Sequence, residues 1–142
     1  MEGFLHKQVT PNELTIMMTH IIRCEDVMRN ASTRIRDEDF DNSELAFKAI
    51  WMVASAFWRD HKTLITRPIL EAKLDDGVRG NPLLDTEHTR QYIFNQVALA
   101  YAWADLIPSY AMEILQSFLW QRQVGSQLMS AAQEGFIKKH MW

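Results

Sequence analysis

The run "DEDFDN", Asp37 to Asn42, is the densest acidic cluster in the chain. Asp37, Asp39 and Asp41 sit at alternate positions, the spacing with which a calcium-binding EF-hand loop begins. In that register Asn42 stands where the sharp turn needs glycine, and Lys48 stands where the bidentate glutamate belongs. The run is therefore read as a solvated connector or a cluster at a helix start. His20 and Cys24 are four residues apart, so on one helix they share a face and could supply two metal ligands. No second pair has suitable spacing, and the expectation is a buried thiol beside a partly exposed imidazole. Di-iron bundles need Glu-x-x-His pairs on facing helices, and none of the five histidines lies three residues after a glutamate. No GxxxxGK[ST], GxGxxG, GxSxG or HExxH motif occurs. Chemistry at a catalytic, cofactor or metal site is thus not expected of this chain.

Aromatic residues carry more information. Five tryptophans, Trp51, Trp58, Trp103, Trp120 and Trp142, exceed the need of a small core, and tryptophan is enriched where proteins bury one another. Trp120 is assigned to an interface, because Ile114, Leu115, Phe118 and Leu119 already fill one side of its helix. Basic residues form no stripe: Arg29, Arg34 and Arg36 lie near the acidic run, and Lys138, Lys139 and His140 near the end. With a net charge of −3, the chain has no overall basic field, and direct nucleic-acid binding is not expected. A single cysteine excludes an internal disulfide and fits a reducing, cytoplasmic setting. Met1–Thr10 lacks an apolar signal core and no apolar run reaches membrane-spanning length, so neither secretion nor a membrane is expected.

These residues need a scaffold, and the pattern makes it all-α. Residues 1–142 suit one domain with a real core, at 47% hydrophobic and 23% charged residues. Thr10, Pro11 and Glu13 spell a capping box, opening a first helix that carries Leu14, Met17, Met18, Ile21, Val27 and Met28 to about Asn30. After a polar connector, Asn42 or Ser43 caps a second helix to about Asp60. A short helix starts around Pro68, with Gly77 as a plausible stop. This helical head, 10–76, is followed by a loop, 77–85, within the stretch "DDGVRGNPLLD", Asp75 to Asp85. Asp85 or Thr86 caps the next helix, to about Ala104. Pro108 marks a turn, and the last helix runs from about Ser109 to at least Gln123, continuing at a propensity cost past Gly125 to about Glu134. The pair forms a long antiparallel hairpin, 86–134, with a tail at 135–142. Five to six helices are expected in all. A two-helix hairpin cannot cover both its own apolar faces, so it must lean on the head or on a copy of itself.

The order of parts resembles the N-terminal domain of DnaB-type replicative DNA helicases, including phage versions. The residues that carry the likeness are "EDF" (Glu38 to Phe40) before "ELAFKAIW", then "ITRPILEAKL" (Ile65 to Leu74), then "QYIFNQVALAYA", the turn "IPS" (Ile107 to Ser109), Tyr110 and Ala111, and later Arg122. The resemblance covers about Thr10 to Glu134. It implies a domain whose hairpin packs on that of a neighbouring subunit, building a collar above the motor ring and docking a primase or loader. The expected function is non-catalytic oligomerisation and docking in DNA replication. The expected interface residues are Tyr101, Trp103, Ile107, Tyr110, Ile114, Phe118, Trp120 and Arg122. The other expectation is a free-standing phage or bacterial adaptor that binds a host replication protein without self-assembly; a small helical enzyme or metal protein ranks below both.

Overall fold

A computed structural model describes residues 8–125. Among these residues the fold is all-α, as the sequence predicts, with six α-helices: α1 (Pro11–Arg23), α2 (Glu25–Ser32), α3 (Leu45–His61), α4 (Arg67–Val78), α5 (Glu87–Ala102) and α6 (Pro108–Leu119). Two 3-10 turns, Asp37–Asp39 and Asn42–Glu44, precede α3, and α6 runs into a π-helical turn, Trp120–Gly125. The predicted continuation to Glu134 and the tail lie outside the described residues.

The capping box opens α1 as the sequence predicts: Glu13 N donates to Thr10 Oγ1 at 3.2 Å, and Thr10 N donates to Glu13 Oε1 at 3.0 Å. The single helix expected to Asn30 is instead broken at Cys24, whose φ of −125° and ψ of 120° are extended. Periodicity gives the reason. At about 3.6 residues per turn, a continuous helix would carry Val27 and Ala31 off the face shared by Leu14, Met18 and Ile21. The break turns them back, and both are buried. Continuity of hydrogen bonding softens the bend, since Cys24 N reaches His20 O at 2.8 Å and Cys24 O accepts from Met28 N at 2.9 Å.

Helix α3 ends at Lys62 in the left-handed region, with φ 55° and its N–H on Trp58 O. The stop expected at Gly77 falls later, because α4 continues through Val78 and so seats that side chain in the core. The positive φ of the following turn belongs to Gly80, at 80°.

The hairpin differs most from expectation. Helices α5 and α6 do follow one another through the Pro108 turn, but they make little direct contact. Helix α1 packs against both, and also against α2 and α3. One cluster therefore joins head and final helices, with Met17, Ile21, Ile50, Leu70, Val97 and Leu115 among its members. Amphipathic faces that a closed hairpin would leave bare are covered by the first helix of the same chain.

Candidate docking surfaces

The acidic run acts on its own neighbourhood. Asp39 is buried, and its Oδ2 accepts from Arg36 N at 2.8 Å and from Gln123 Nε2 at 2.6 Å. Asp41 caps the turn that leads into α3, accepting from Ser43 N and Ser43 Oγ; the hydroxyl bond, ahead of the amide, holds its carboxyl below the usual range. Glu44 accepts from Asp41 N at 3.1 Å and forms a two-pronged pair with Arg122, Nη1 to Oε1 at 2.6 Å and Nη2 to Oε2 at 2.9 Å. Among the described residues no group of three or more His, Cys, Asp or Glu is placed to hold a metal ion.

His20 and Cys24 exchange the environments expected of them. The imidazole is the buried group, 2% exposed, whereas Cys24 is half-buried at the helix break. Burial still pushes the thiol upward, with Arg23 acting against it. His20 Nδ1 lies 2.7 Å from Ile16 O, and its Nε2 accepts from Ile107 N at 2.8 Å. Both ring nitrogens are thus engaged within the chain, and neither is turned towards a ligand.

The expected interface residues separate into two groups. Ile114 is 3% exposed and Phe118 0%, so both belong to the protomer's own core and are withdrawn from any subunit contact in this fold. Insertion of α1 beside α6 is the physical reason. Phe118 packs on Phe40, with ring centroids 5.2 Å apart, and carries the Arg122 guanidinium 4.8 Å above its ring. Arg122 itself is engaged internally, by Glu44 and by Asp39 O at 2.7 Å. Tyr101 is half-buried and pinned by its hydroxyl, which donates to Ile65 O at 2.7 Å; burial pushes its phenol up to about 12. The half-buried Trp120 ring lies against Gly125 in the π-helical turn. All five are buried or half-buried.

Trp103, Ile107 and Tyr110 do lie at the surface, around the α5–α6 turn. Ile107 is 54% exposed and Tyr110 42%, with Trp103 and Leu106 half-buried beside them. The turn is fastened to α1 from below. Arg23 Nη1 donates to Trp103 O at 2.5 Å, closing the end of α5, while His20 receives the Ile107 amide at the start of α6. The indole Nε1 of Trp103 donates to Asp105 O at 3.2 Å. An apolar tip is therefore held on a fixed base.

A second apolar surface was not read from the sequence. Along the outer side of α3, Met52 borders a groove of about 400 Å³ with Val53, Ala56 and Phe57 on its floor and Asp60, Lys73 and Asp76 on its rim. A smaller hollow of about 180 Å³ continues it past Ala49, Val78 and Leu84. Leu83, 70% exposed, projects from the α4–α5 loop at the same side. Arg90 fixes that loop by pairing with Asp75 at 2.6 Å and Asp85 at 3.1 Å, and the Gly80 amide together with Arg90 keeps the Asp85 carboxyl low. The visible signal was the apolar pair Leu83-Leu84 inside an otherwise polar loop.

No protein-family model matches the chain, and neither curated proteins nor solved structures yield a significant match. Among the described residues no helix is long and apolar enough to cross a membrane.

Proposed function

We propose that this chain is a non-catalytic assembly and docking domain of a DnaB-type replicative DNA helicase, acting in the cytoplasm through self-association and contact with a primase or loader. The order of sequence elements supports the reading, and one structural observation carries it: exposed Ile107 and Tyr110, with half-buried Trp103 beside them, form an apolar tip on the turn between α5 and α6. In the resembled family this pair of helices meets its counterpart on a neighbouring subunit. The contact proposed here is narrower than the one read from sequence. It uses the tip and leaves Ile114 and Phe118 in the core.

Burying an Ile or aromatic side chain contributes roughly 1.5–3 kcal/mol before the ordering costs of association are subtracted. A tip of three such groups supports a weak dimer, one that avidity within a larger assembly would strengthen. Light scattering behind a sizing column, over a wide concentration range, tests this. The expected result is a concentration-dependent dimer that Ile107→Asp with Tyr110→Ser converts to a monomer of unchanged helicity. A strict monomer at the highest concentration refutes self-association. The free-standing adaptor is the second reading, favoured by the groove beside Met52 and Leu83, which offers a heterologous partner its own surface. Binding of a purified primase that Leu83→Asp abolishes, by a chain that stays monomeric, would decide for it.

A further inference from the structure

We infer that the groove along α3 and α4 takes one amphipathic helix of a partner protein, with an apolar ridge turned inward and a lysine or arginine at the end that lies over Asp60 and Asp76. The inference rests on the second reading above, in which a heterologous partner uses this face, and is independent of self-association at the tip. The hollows on this side are parts of one groove. The hollow beside Tyr92 shares Leu45 and Leu83 with the next. That one shares Ala49, Met52 and Leu84 with the hollow at Gly77, and Met52 and Val53 continue into the hollow of about 400 Å³. At a rise of about 1.5 Å per residue, the run of α3 from Leu45 to Asp60 is about 22 Å long, or roughly four turns of a partner helix. Its floor is Ala49, Val53, Ala56 and Phe57, with exposed Met52 and Leu83 at the edges. Methionine there adapts to side chains of varied shape.

Two observations point to that occupant. The fold does not require glycine at Gly77: the positive φ of this region belongs to Gly80, and a β-carbon on Gly77 would have no atom within 4 Å. Glycine in a helix gives up propensity against alanine. Here its bare backbone leaves room beside Ala49 and Val53 for a side chain from outside. Charge is the second observation. Among the acidic residues of α3 and α4, Glu71 pairs with Arg67, and Asp75 pairs with Arg79 and Arg90. Asp60 and Asp76 border one hollow, are exposed, and form no ion pair among the described residues. Helix α3 ends at His61 beside them, so its last carbonyls add to the negative field. Lys73 on the same rim offsets one carboxylate, and an excess of negative charge is left for a basic side chain to meet. At the far end Lys48 and Asp37 balance one another. An uncharged floor with one acidic end suits a helix that is apolar at i, i+4 and i+7 and basic at one terminus.

Fluorescence anisotropy of labelled synthetic peptides, titrated with the full chain, tests this. The probe is a helical peptide of about sixteen residues with leucines at i, i+4, i+7 and i+11 and arginines at one end. A control peptide carries glutamates in place of the arginines. The arginine peptide is expected to bind about tenfold or more tightly than the control, and Asp60→Asn with Asp76→Asn should erase that preference. Gly77→Leu fills the groove and should weaken binding by about tenfold or more. Its melting temperature should hold or rise, since leucine is the better helix former. Equal binding of the two peptides by the native chain overturns the inferred chemistry. Absent binding, or binding that Gly77→Leu leaves unchanged, overturns the site. In each case, primase binding that Leu83→Asp abolishes would leave the second reading standing. A native dimer that Gly77→Leu makes monomeric assigns the groove to a second copy, and displacement of the arginine peptide by a peptide of residues 126–142 assigns it to the chain itself; both overturn the inference. If Gly77→Leu loses helicity, the paired Asp→Asn protein still decides, because its readout is the preference between peptides.

Discussion

Replacing Arg122 with alanine should be among the most damaging single changes available in this fold. Arg122 and Glu44 are both largely shielded from solvent and meet in a bidentate pair that ties the turn after α6 to the start of α3. The same guanidinium donates to Asp39 O and covers the Phe118 ring. Truncation therefore leaves a shielded carboxylate without its cation, a carbonyl without its donor and an aromatic face without its cover. Breaking a buried pair from one side costs about 3–5 kcal/mol, because the remaining charge has lost its partner but not its desolvation. For a domain of this size that corresponds to a fall in melting temperature of roughly 10–15 °C. Removing both ends, as in Arg122→Met with Glu44→Leu, should recover much of the loss, since well-packed apolar replacements of such pairs are often neutral. Urea denaturation of the four proteins of this double-mutant cycle gives the coupling directly. A cost below about 1 kcal/mol for Arg122→Ala, the value of an exposed pair, would refute the assignment of a shielded, structure-setting contact.

Three further outcomes are expected. Gly125→Ala would drive a methyl group into the Trp120 ring, so the π-helical turn should rearrange at a cost of about 1–3 kcal/mol, seen as a changed tryptophan emission and a lower urea midpoint. Lys62→Gly should stabilise by roughly 0.5–1 kcal/mol, because relief of the left-handed conformation outweighs the added freedom of the unfolded chain; an unchanged or lower midpoint would contradict this. Tyr101 is held neutral by burial, with its phenol pushed up to about 12 against about 10 in the unfolded chain. Its folded pKa is the higher one, so its contribution is complete below about pH 10 and is lost as pH rises towards about 12. Tyr101→Phe should remove that alkaline slope and cost about 1 kcal/mol at neutral pH through the lost bond to Ile65 O.

What could be read in the sequence was what local chemistry decides. Thr10, Pro11 and Glu13 announce α1, and Pro108 announces α6, because caps and proline act within a few residues of themselves. The break at Cys24 was hidden: cysteine is no breaker, and the bend arises because Val27 and Ala31 must reach a core built elsewhere in the chain. Ile114 and Phe118 looked like interface residues for a related reason. Their periodicity shows an apolar face without showing what covers it, and the cover comes from far earlier in the chain, from α1 and, over Phe118, from Phe40. Arg122 was expected at the subunit interface, yet its partner Glu44 sits in a different element of the same chain, and pairing across such a separation leaves no local mark. His20 misled in the same way, since its second neighbour, Ile107, lies 87 positions away.

The placement of α1 between α5 and α6 has a consequence for biosynthesis. The central helix leaves the ribosome well before the two helices that shelter it. Arg23 must wait 77 residues for Ala100, which at roughly 5–20 residues per second is about 4–15 s of translation. Through that interval the part of α1 that α5 and α6 cover has no permanent shelter, so the nascent chain passes through a window in which a chaperone or a sister chain could capture it. A gene truncated before Pro108 would never close that window, and its product should accumulate as aggregate instead of a smaller folded domain.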